Sequence, residues 1–356
     1  MIIGKTAVVA ITKHGIMIAR KIKDSLPEAE IYAPIKLTDS SPDINWFNKQ
    51  TTEMIANLFK TYDALICIFS LGAVIRMIAP FLVDKKTDPA VLVIDDKANF
   101  VISALSGHLG GANSLARSIA SYLNSKPVIT TAADVNETIP VDLVGRDFGW
   151  TIENYQNVTK VSALMVNEEK IGLYQDTGEK GWWPPTSLPQ NVTVTKDVYE
   201  LKTPDFKGAL IITDKIIDDQ IILEKSVIYR PKSLVVGIGL HRDTSKDIIE
   251  NGILNVLKDK GLTYKSIRNL SSINKEGKIK GLQEFSEQYG IPVELYDKGK
   301  LGRVSVPNPS KMVKKYEGTP SVSEASSILS SNGELIVPKQ KFPPNLTVAV
   351  SRVKFD

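Results

Sequence analysis

Residues 64–69 read ALICIF, an unbroken apolar run that a short helix-like stretch, residues 71–78, follows at once. A short apolar run of this kind predicts a strand buried on both faces, which is typical of a parallel sheet. Similar runs occur at residues 6–11 and 90–94, and helix-like segments lie between them. This alternation predicts an open α/β sheet.

The flanking segments extend the pattern over the first third of the chain. The other predicted elements there are helices at 13–26, 46–60 and 109–123 and strands at 30–34, 100–105 and 128–130. The polar residues 95–99 predict a hairpin that joins the strand before them to the strand after them.

The rest of the chain divides into two parts. Residues 135–231 show little helical period but contain short β-branched runs, at 192–195, 210–213, 221–223 and 227–229. After Pro231 the alternation returns, with strands at 234–239, 266–273, 291–295 and 346–350 and helices at 244–258, 277–289 and 321–329. We therefore predict two open α/β domains, residues 1–134 and 232–356, that flank a smaller β-rich middle module at 135–231.

Composition narrows the classes of protein that fit. The chain has 356 residues, of which 42% are hydrophobic and 24% charged, so bulk disorder is excluded. One cysteine, Cys67, excludes an intramolecular disulfide, and with only three histidines no protein metal site is predicted. Cys67 lies inside an apolar strand, which indicates a core residue. No leader pattern or membrane-spanning run is present, so we expect a cytoplasmic protein.

The net charge of +4 is unevenly distributed. Residues 232–356 contain 20 basic and 13 acidic residues, a net charge of +7, and the rest of the chain carries −3. A basic C-terminal part indicates an anionic partner or, alternatively, a solvated lysine-rich surface.

The densest candidate site is the glycine-rich segment at residues 103–113, between a strand and a helix. Its predicted binding residues are Ser106, Gly107, Gly110, Gly111 and Asn113. Glycines permit close backbone approach, and amides at a helix start can bind an anion. His108 adds an acid–base group that titrates near neutral pH. The alternative is a tight turn with a structurally bonded histidine.

Other polar residues fall at predicted strand ends, where ligands collect in open α/β sheets. Asp95 follows one strand, and Arg76, after another, can clamp a carboxylate. Thr130 and Thr131 are predicted to offer hydroxyls to the same edge. The alternatives are a hairpin turn for the aspartate, a surface position for the arginine, and core packing or a cap for the threonines.

Two further clusters lie in the last third. Around the turn at residues 237–245, Gly239, Arg242, Thr244 and Ser245 are candidate anion-binding residues, and a capped glycine turn is the alternative. Near the end of the chain, Ser321 and Glu324 open a predicted helix, where a glutamate is ordinarily a capping residue.

Linked motifs now identify a family. They are GAVIRMIAP at residues 72–80, KTDPAVLVID at 86–95, LSGHLGGAN at 105–113, PVITTAAD at 127–134, GIGLHRDTS at 237–245, IRNLSSINKEG at 267–277 and TPSVSEASSIL at 319–329. In order and spacing they resemble both outer domains of the cobalamin biosynthesis protein CbiG. The chain departs from the family pattern at Leu240, where a cysteine is usual, and at Asp243, where a glycine is usual, so a thiol mechanism at that turn is not expected.

The resemblance implies a cobalt-precorrin-5A hydrolase of the anaerobic corrin pathway. Such an enzyme opens the δ-lactone of the ring-contracted macrocycle and releases acetaldehyde to give cobalt-precorrin-5B. It implies an anionic tetrapyrrole as partner, cobalt carried by the substrate, and no cofactor. Contacts with other corrin-pathway enzymes and a homo-oligomer remain open.

Roles follow from the demands of that chemistry. We predict His108 as the base, amides near Gly110 and Gly111 as oxyanion donors, and Glu324 as an acid or orienting group. Arg76 and Arg242 are predicted to hold substrate carboxylates. The alternative functions are a non-catalytic carrier of corrinoid intermediates and a nucleic-acid binder; the second lacks interleaved basic and aromatic residues, so no nucleic acid is expected.

Overall fold

A computed structural model describes residues 4–84, 87–108, 110–183, 187–275 and 279–355. The chain forms two compact units, Met1–Leu143 and Val144–Asp356, and each is described by itself. Leu109 and Gly277, the predicted first residues of two helices, lie outside the described residues.

The first unit contains one seven-stranded sheet. Its strands are β1 (Thr6–Ala10), β2 (Glu30–Pro34), β3 (Ile44–Phe47), β4 (Ala64–Ile68), β5 (Ala90–Ile94), β6 (Phe100–Leu105) and β7 (Lys126–Val128), in the order β3-β2-β1-β4-β5-β6-β7. Its helices are α1 (Lys13–Ser25), α2 (Thr51–Thr61), α3 (Leu71–Ile78), α4 (Ala112–Leu123) and α5 (Ala132–Val135).

Strand burial explains the apolar runs in this unit. Every residue of β1, β4 and β5 is buried, because helices cover both faces of the sheet. Val8 and Ile66 pack under α1 and α4, whereas Val9 and Cys67 pack under α2 and α3. Alternate side chains along a strand point to opposite faces, so a strand covered on both faces has no polar positions.

The direction of the last two strands sets the positions of the candidate residues. β5 and β6 are antiparallel, as the hairpin prediction requires, and β6 and β7 are parallel. β6 and β7 therefore end at the edge of the sheet where β1, β4 and β5 begin. Residues that follow β5 and residues that follow β6 lie at opposite edges.

The second unit contains two five-stranded sheets. The strands of the first are β8 (Thr151–Ile152), β9 (Ile171–Gln175), β10 (Val192–Val194), β11 (Gly208–Ile212) and β12 (Ser226–Arg230), in the order β10-β9-β11-β12-β8. Those of the second are β13 (Leu234–Leu240), β14 (Ile267–Ile273), β15 (Val293–Tyr296), β16 (Glu334–Phe342) and β17 (Leu346–Arg352), in the order β15-β14-β13-β17-β16.

Helices accompany both of these sheets. They are α6 (Val158–Val166), α7 (Gln220–Lys225), α8 (Lys246–Asp259), α9 (Lys280–Tyr289), α10 (Lys298–Leu301), α11 (Lys311–Glu317) and α12 (Val322–Ser331). α12 packs directly on β13, where a Cβ added to Gly237 would lie 1.9 Å from the carbonyl oxygen of Ser323. Only a glycine permits this close approach.

A buried ion pair joins the two sheets of the second unit. Asp214, which follows β11 and is fully buried, accepts hydrogen bonds of 2.8 Å from Nε and Nη2 of Arg352 on β17. The Ser233 hydroxyl donates to the same carboxylate, also at 2.8 Å. The middle part of the chain and the C-terminal sheet are thus connected by an ion pair whose carboxylate, that of Asp214, is fully buried.

The predicted α/β fold class is confirmed: along the chain, a seven-stranded sheet is followed by two five-stranded sheets, and helices accompany all three. Two element predictions were wrong. Trp46, predicted to open a helix, belongs to β3, and α2 begins only at Thr51. Residues 221–223, predicted as a β-run, lie in α7, because Asp219 caps that helix through the amide of Ile222. Within the described residues, no helix is long and apolar enough to cross a membrane.

Candidate functional site

His108 lies between two carboxylates at the end of the sheet where β6 and β7 finish. Its Nε2 is 2.7 Å from Oδ2 of Asp134, which belongs to α5. Its Nδ1 is 3.6 Å from Oδ1 of Asp142, an ion-pair distance rather than a hydrogen bond. About four-fifths of the His108 side chain is buried, with a side-chain exposure of 19%, so these charges are only partly screened.

Asp134 is in turn held by three donors. Asn113 Nδ2 donates to its Oδ2 at 2.7 Å, and both terminal nitrogens of Arg117 donate to its Oδ1 at 3.0 and 3.1 Å. The same Asn113 amide nitrogen also lies 2.9 Å from the Thr131 hydroxyl. The predicted residues Asn113 and Thr131 are therefore brought together with His108, as supports of its carboxylate partner.

The glycines of the loop make this arrangement sterically feasible. A Cβ on Gly107 would lie 2.6 Å from Oδ1 of Asn113, and one on Gly110 would lie 2.4 Å from Cβ of Ser106. Gly111 has a φ of +83°, a left-handed conformation that favours glycine. Ser106 itself has a φ of +54°, and its hydroxyl donates to the carbonyl of Asp88 at 2.9 Å.

The structure corrects the prediction for Gly111, one of the two predicted oxyanion donors, whereas that for Gly110 stays a prediction. The amide of Gly111 donates to the carbonyl of His108 at 3.0 Å, and those of Ala112 and Asn113 donate to Ser106 and Gly107. The start of α4 is thus closed by its own loop. A helix start whose amides are already bonded does not offer them to an anion.

The carboxylates change the protonation of the histidine. Asp142 and then Asp134 raise the pKa of His108 above its ordinary value, although partial burial acts in the opposite direction. A raised pKa makes the imidazole more fully protonated at neutral pH. The geometry therefore favours proton donation by His108 over the base role that the sequence predicts.

Asp95 and Arg76 do not join this cluster. Asp95 follows β5 at the opposite edge and accepts hydrogen bonds from the amides of Lys97 and Phe100, so it shapes the hairpin turn. Arg76 is exposed on α3 and donates to the carbonyl of Gly72 at 3.0 Å. The prediction that Thr130 shares an edge with these residues was wrong, because β6 and β7 run against β5.

A cavity of about 360 Å³ lies at the carboxyl ends of β13 and β14 in the second unit. It includes the predicted residues Gly239 and Ser321. The predicted residues beside the following turn lie outside its lining: Arg242 is exposed, Thr244 is buried, and Ser245 caps α8. The Thr244 hydroxyl accepts from the amide of His241 at 3.1 Å, so it shapes the turn.

Glu324 has a different setting from the one predicted. Its side chain is fully buried in α12. Its carboxylate accepts hydrogen bonds from the backbone amides of Asn308 (3.2 Å) and Lys339 (3.0 Å) and from Nδ2 of Asn308 (2.9 Å). A catalytic role for Glu324 stays a prediction. Its hydrogen bonds to two segments are sufficient to explain a buried carboxylate at this position.

The sequence reasoning missed Asp134, Asp142 and Arg117. Asp134 ends the motif PVITTAAD, so its position in a family motif was the one available signal. Cys67 is buried in β4, and burial raises the pKa of its thiol, as expected of a core residue. In the described part of the chain, no group of three or more His, Cys, Asp or Glu side chains is placed to hold a metal ion.

Comparison with known proteins shows that this chain is similar to proteins of cobalamin biosynthesis. Three family models match: "Cobalamin synthesis G N-terminal" over residues 53–134, "Cobalamin biosynthesis central region" over 139–231 and "Cobalamin synthesis G C-terminus" over 234–351. The chain is 42% identical over 359 residues to the cobalt-precorrin-5A hydrolase of Priestia megaterium, which covers 99% of this chain and 96% of the relative.

A second relative agrees. The chain is 28% identical to the cobalt-precorrin-5A hydrolase of Salmonella typhimurium, over 93% of each. Among solved structures, a cobalamin biosynthesis protein G homolog from Sulfolobus solfataricus aligns with a TM-score of 0.39 and 22% identity, over 98% of this chain and 97% of that one. The chain belongs to the CbiG family, the family of these curated hydrolases, and the resemblance seen in its motifs is confirmed.

Proposed function

We propose that this chain hydrolyses cobalt-precorrin-5A. The observation that carries the proposal is the 42% identity to the Priestia megaterium enzyme of that name over 99% of the chain. The His108 cluster supports it, because a partly buried histidine flanked by carboxylates is suited to moving protons during hydrolysis.

The reaction has two stages whose atoms balance. Water adds to the lactone carbonyl and the ring C–O bond breaks, which leaves a carboxylate and a hydroxyl on the extruded carbon. That hydroxyl then loses its proton while its carbon–carbon bond to the macrocycle breaks. The macrocycle takes the electron pair and a proton, and acetaldehyde leaves. One water is consumed for each acetaldehyde formed.

His108 is assigned the proton transfers in this scheme. Its Nε2 is occupied by Asp134, so Nδ1 is the nitrogen that exchanges a proton with substrate. A raised pKa suits it to protonate the leaving oxygen of the lactone or the ring carbon. Asp134, fixed by Arg117 and Asn113, orients the ring, and the negative charge of Asp142 beside Nδ1 stabilises the protonated imidazole.

The proposed substrate carries its own cobalt, so the reaction requires no metal or organic cofactor from the protein. Water supplies the only other reactant. The proposed partner is a tetrapyrrole with peripheral carboxylates, and the proposed location is the cytoplasm.

The test is an anaerobic assay of the purified chain with cobalt-precorrin-5A, in which acetaldehyde is trapped and quantified. We expect one acetaldehyde per substrate consumed. Tight binding of the substrate with no acetaldehyde above the enzyme-free control would replace the hydrolase with a carrier of corrinoid intermediates.

A further inference from the structure

The cavity in the second unit has an apolar wall and several basic lining residues. The wall includes Met312 and Val313 of α11 and Phe342 at the end of β16. Three lysines line the same cavity, Lys275, Lys339 and Lys341, together with His241. Among the lining residues that the structure describes, Glu317 carries the one carboxylate. The described lining of the cavity is therefore partly apolar and carries more basic than acidic side chains.

Two of these polar groups have no side-chain partner in the part of the chain that the structure describes. Lys275 is paired with Glu317 at 2.6 Å, and the Lys339 ammonium donates to the carbonyl of Asn308 at 2.7 Å. Among the residues that the structure describes, the ammonium of Lys341 and the imidazole of His241 make neither a hydrogen bond nor an ion pair. They are two side-chain donors of the lining that remain available to a ligand.

Position and size restrict what that ligand is. The cavity opens beyond the carboxyl ends of the parallel strands β13 and β14, where open α/β sheets bind ligands. Its volume of about 360 Å³ is near the lower end of the range for small-molecule sites, roughly 300–1,000 Å³. It therefore holds one side of a large macrocycle rather than all of it.

We propose that this cavity binds one edge of a tetrapyrrole that carries carboxylate side chains. Lys341 pairs with a peripheral carboxylate, His241 donates to the same group or its neighbour, and the wall at Met312 and Phe342 packs against the ring. The identity of the ligand rests on the proposed function. The shape and charge of the cavity stand without it.

The test measures binding of uroporphyrin, a stable porphyrin with eight carboxylates, to the full chain by absorbance titration. Lys341→Glu is expected to weaken binding about tenfold, the effect of losing one charge-assisted hydrogen bond and adding a repulsion. Lys260→Glu, at an exposed position beyond the end of α8, has the same charge change and is expected to stay within about twofold. If Lys341→Glu does not fold, Lys341→Gln replaces it.

The outcomes separate this proposal from the proposed function. Unchanged binding in the Lys341 variant, equal weakening in both variants, or no porphyrin binding by the unaltered chain would each overturn it. If the unaltered chain releases acetaldehyde and Lys341→Glu has the same KM, the proposed hydrolase activity is supported but the cavity does not bind the substrate. If porphyrin binding depends on Lys341 but no acetaldehyde is released, the proposal for the cavity is supported and the proposed hydrolysis is wrong.

Discussion

The Nε2 atom of His108 lies 2.7 Å from Oδ2 of Asp134, and the guanidinium of Arg117 binds the other oxygen of that carboxylate. When the imidazole is protonated, the Asp134 carboxylate therefore pairs with two cations, the His108 ring and the Arg117 guanidinium. With Asp142 beside Nδ1, the imidazole has a carboxylate at each nitrogen. This surrounding favours the charged ring and raises the pKa of His108.

Removing the Asp142 charge is expected to lower the pKa of His108. In Asp142→Asn the neighbour no longer stabilises the imidazolium, so the NMR titration midpoint of His108 should fall, and the same direction holds for Asp134→Asn. Asp147→Asn, at an exposed position in the same part of the sequence, is the matched control. A midpoint unchanged in both cluster variants would contradict the electrostatic account.

The raised pKa of His108 also determines how the free energy of unfolding depends on pH. The pKa of His108 is higher in the folded chain than in the unfolded chain, where it is about 6.5. Its contribution to the free energy of unfolding is therefore complete below about pH 6.5 and is lost as pH rises through the raised folded pKa. Urea unfolding between pH 5.5 and 8.5 should show this loss, and His108→Gln should remove it.

His108→Gln is expected to slow acetaldehyde release by about 10²–10⁴-fold, the usual contribution of a positioned acid or base. His14→Gln provides a matched control, because His14 is 72% exposed and sits on α1, at the opposite edge of the sheet. We expect the control to stay within about twofold. A His108 variant as active as the control would remove the histidine from the mechanism while leaving the proposed reaction intact.

Glu324→Gln distinguishes a structural carboxylate from a catalytic one. An amide nitrogen in place of one oxygen would face the backbone donors of Asn308 or Lys339, at a cost of about 1–3 kcal/mol in the free energy of unfolding. We expect urea unfolding to show that loss and the kcat of the folded fraction to change less than threefold. A kcat lowered a hundredfold at unchanged stability would restore the catalytic prediction.

The sequence predicted strands best where burial on both faces leaves only apolar residues. Residues 64–69 and 90–94 correspond to β4 and β5, in which every residue is buried, because little else accounts for such runs. It failed where a single capping residue decides the structure: residues 221–223 are β-branched or apolar, yet the Asp219 cap makes them helical.

The sequence predicted only part of the site, because it does not show which strands are antiparallel. A linear sequence shows that Asp95 and Thr130 each follow a strand, but not that one strand runs against the other. The antiparallel step between β5 and β6 separates the two residues, and it depends on tertiary pairing. Asp142 was missed because it lies outside every motif and reaches His108 only through the fold.

Gly237→Ala is expected to prevent close packing of α12 on β13. The added Cβ would lie 1.9 Å from a backbone carbonyl, that of Ser323, so the helix itself must shift. We expect a loss of about 2 kcal/mol or more in the free energy of unfolding. Gly299→Ala meets no atom within 4 Å and should change stability by less than about 0.5 kcal/mol. Equal stability of the two variants would contradict the packing argument.

Asp214→Ala is expected to weaken the connection between the two sheets of the second unit. The substitution leaves the Arg352 guanidinium and the buried Ser233 hydroxyl without their acceptor, the fully buried Asp214 carboxylate. Breaking a buried ion pair costs about 3–5 kcal/mol, and we expect the lower figure because the Arg352 side chain is 32% exposed.

Urea unfolding of the Asp214 variant measures this cost, with Asp218→Ala, an exposed aspartate four residues away, as the matched control. The double variant Asp214→Leu/Arg352→Met should recover part of the loss, since replacing both charges removes the unpaired guanidinium. If the pair also holds the two sheets together, the single variant should unfold in two steps rather than one. A drop below about 1 kcal/mol with a single transition would show that the other contacts, such as the Glu153–Lys265 ion pair at 3.0 Å, are sufficient to hold the two sheets together.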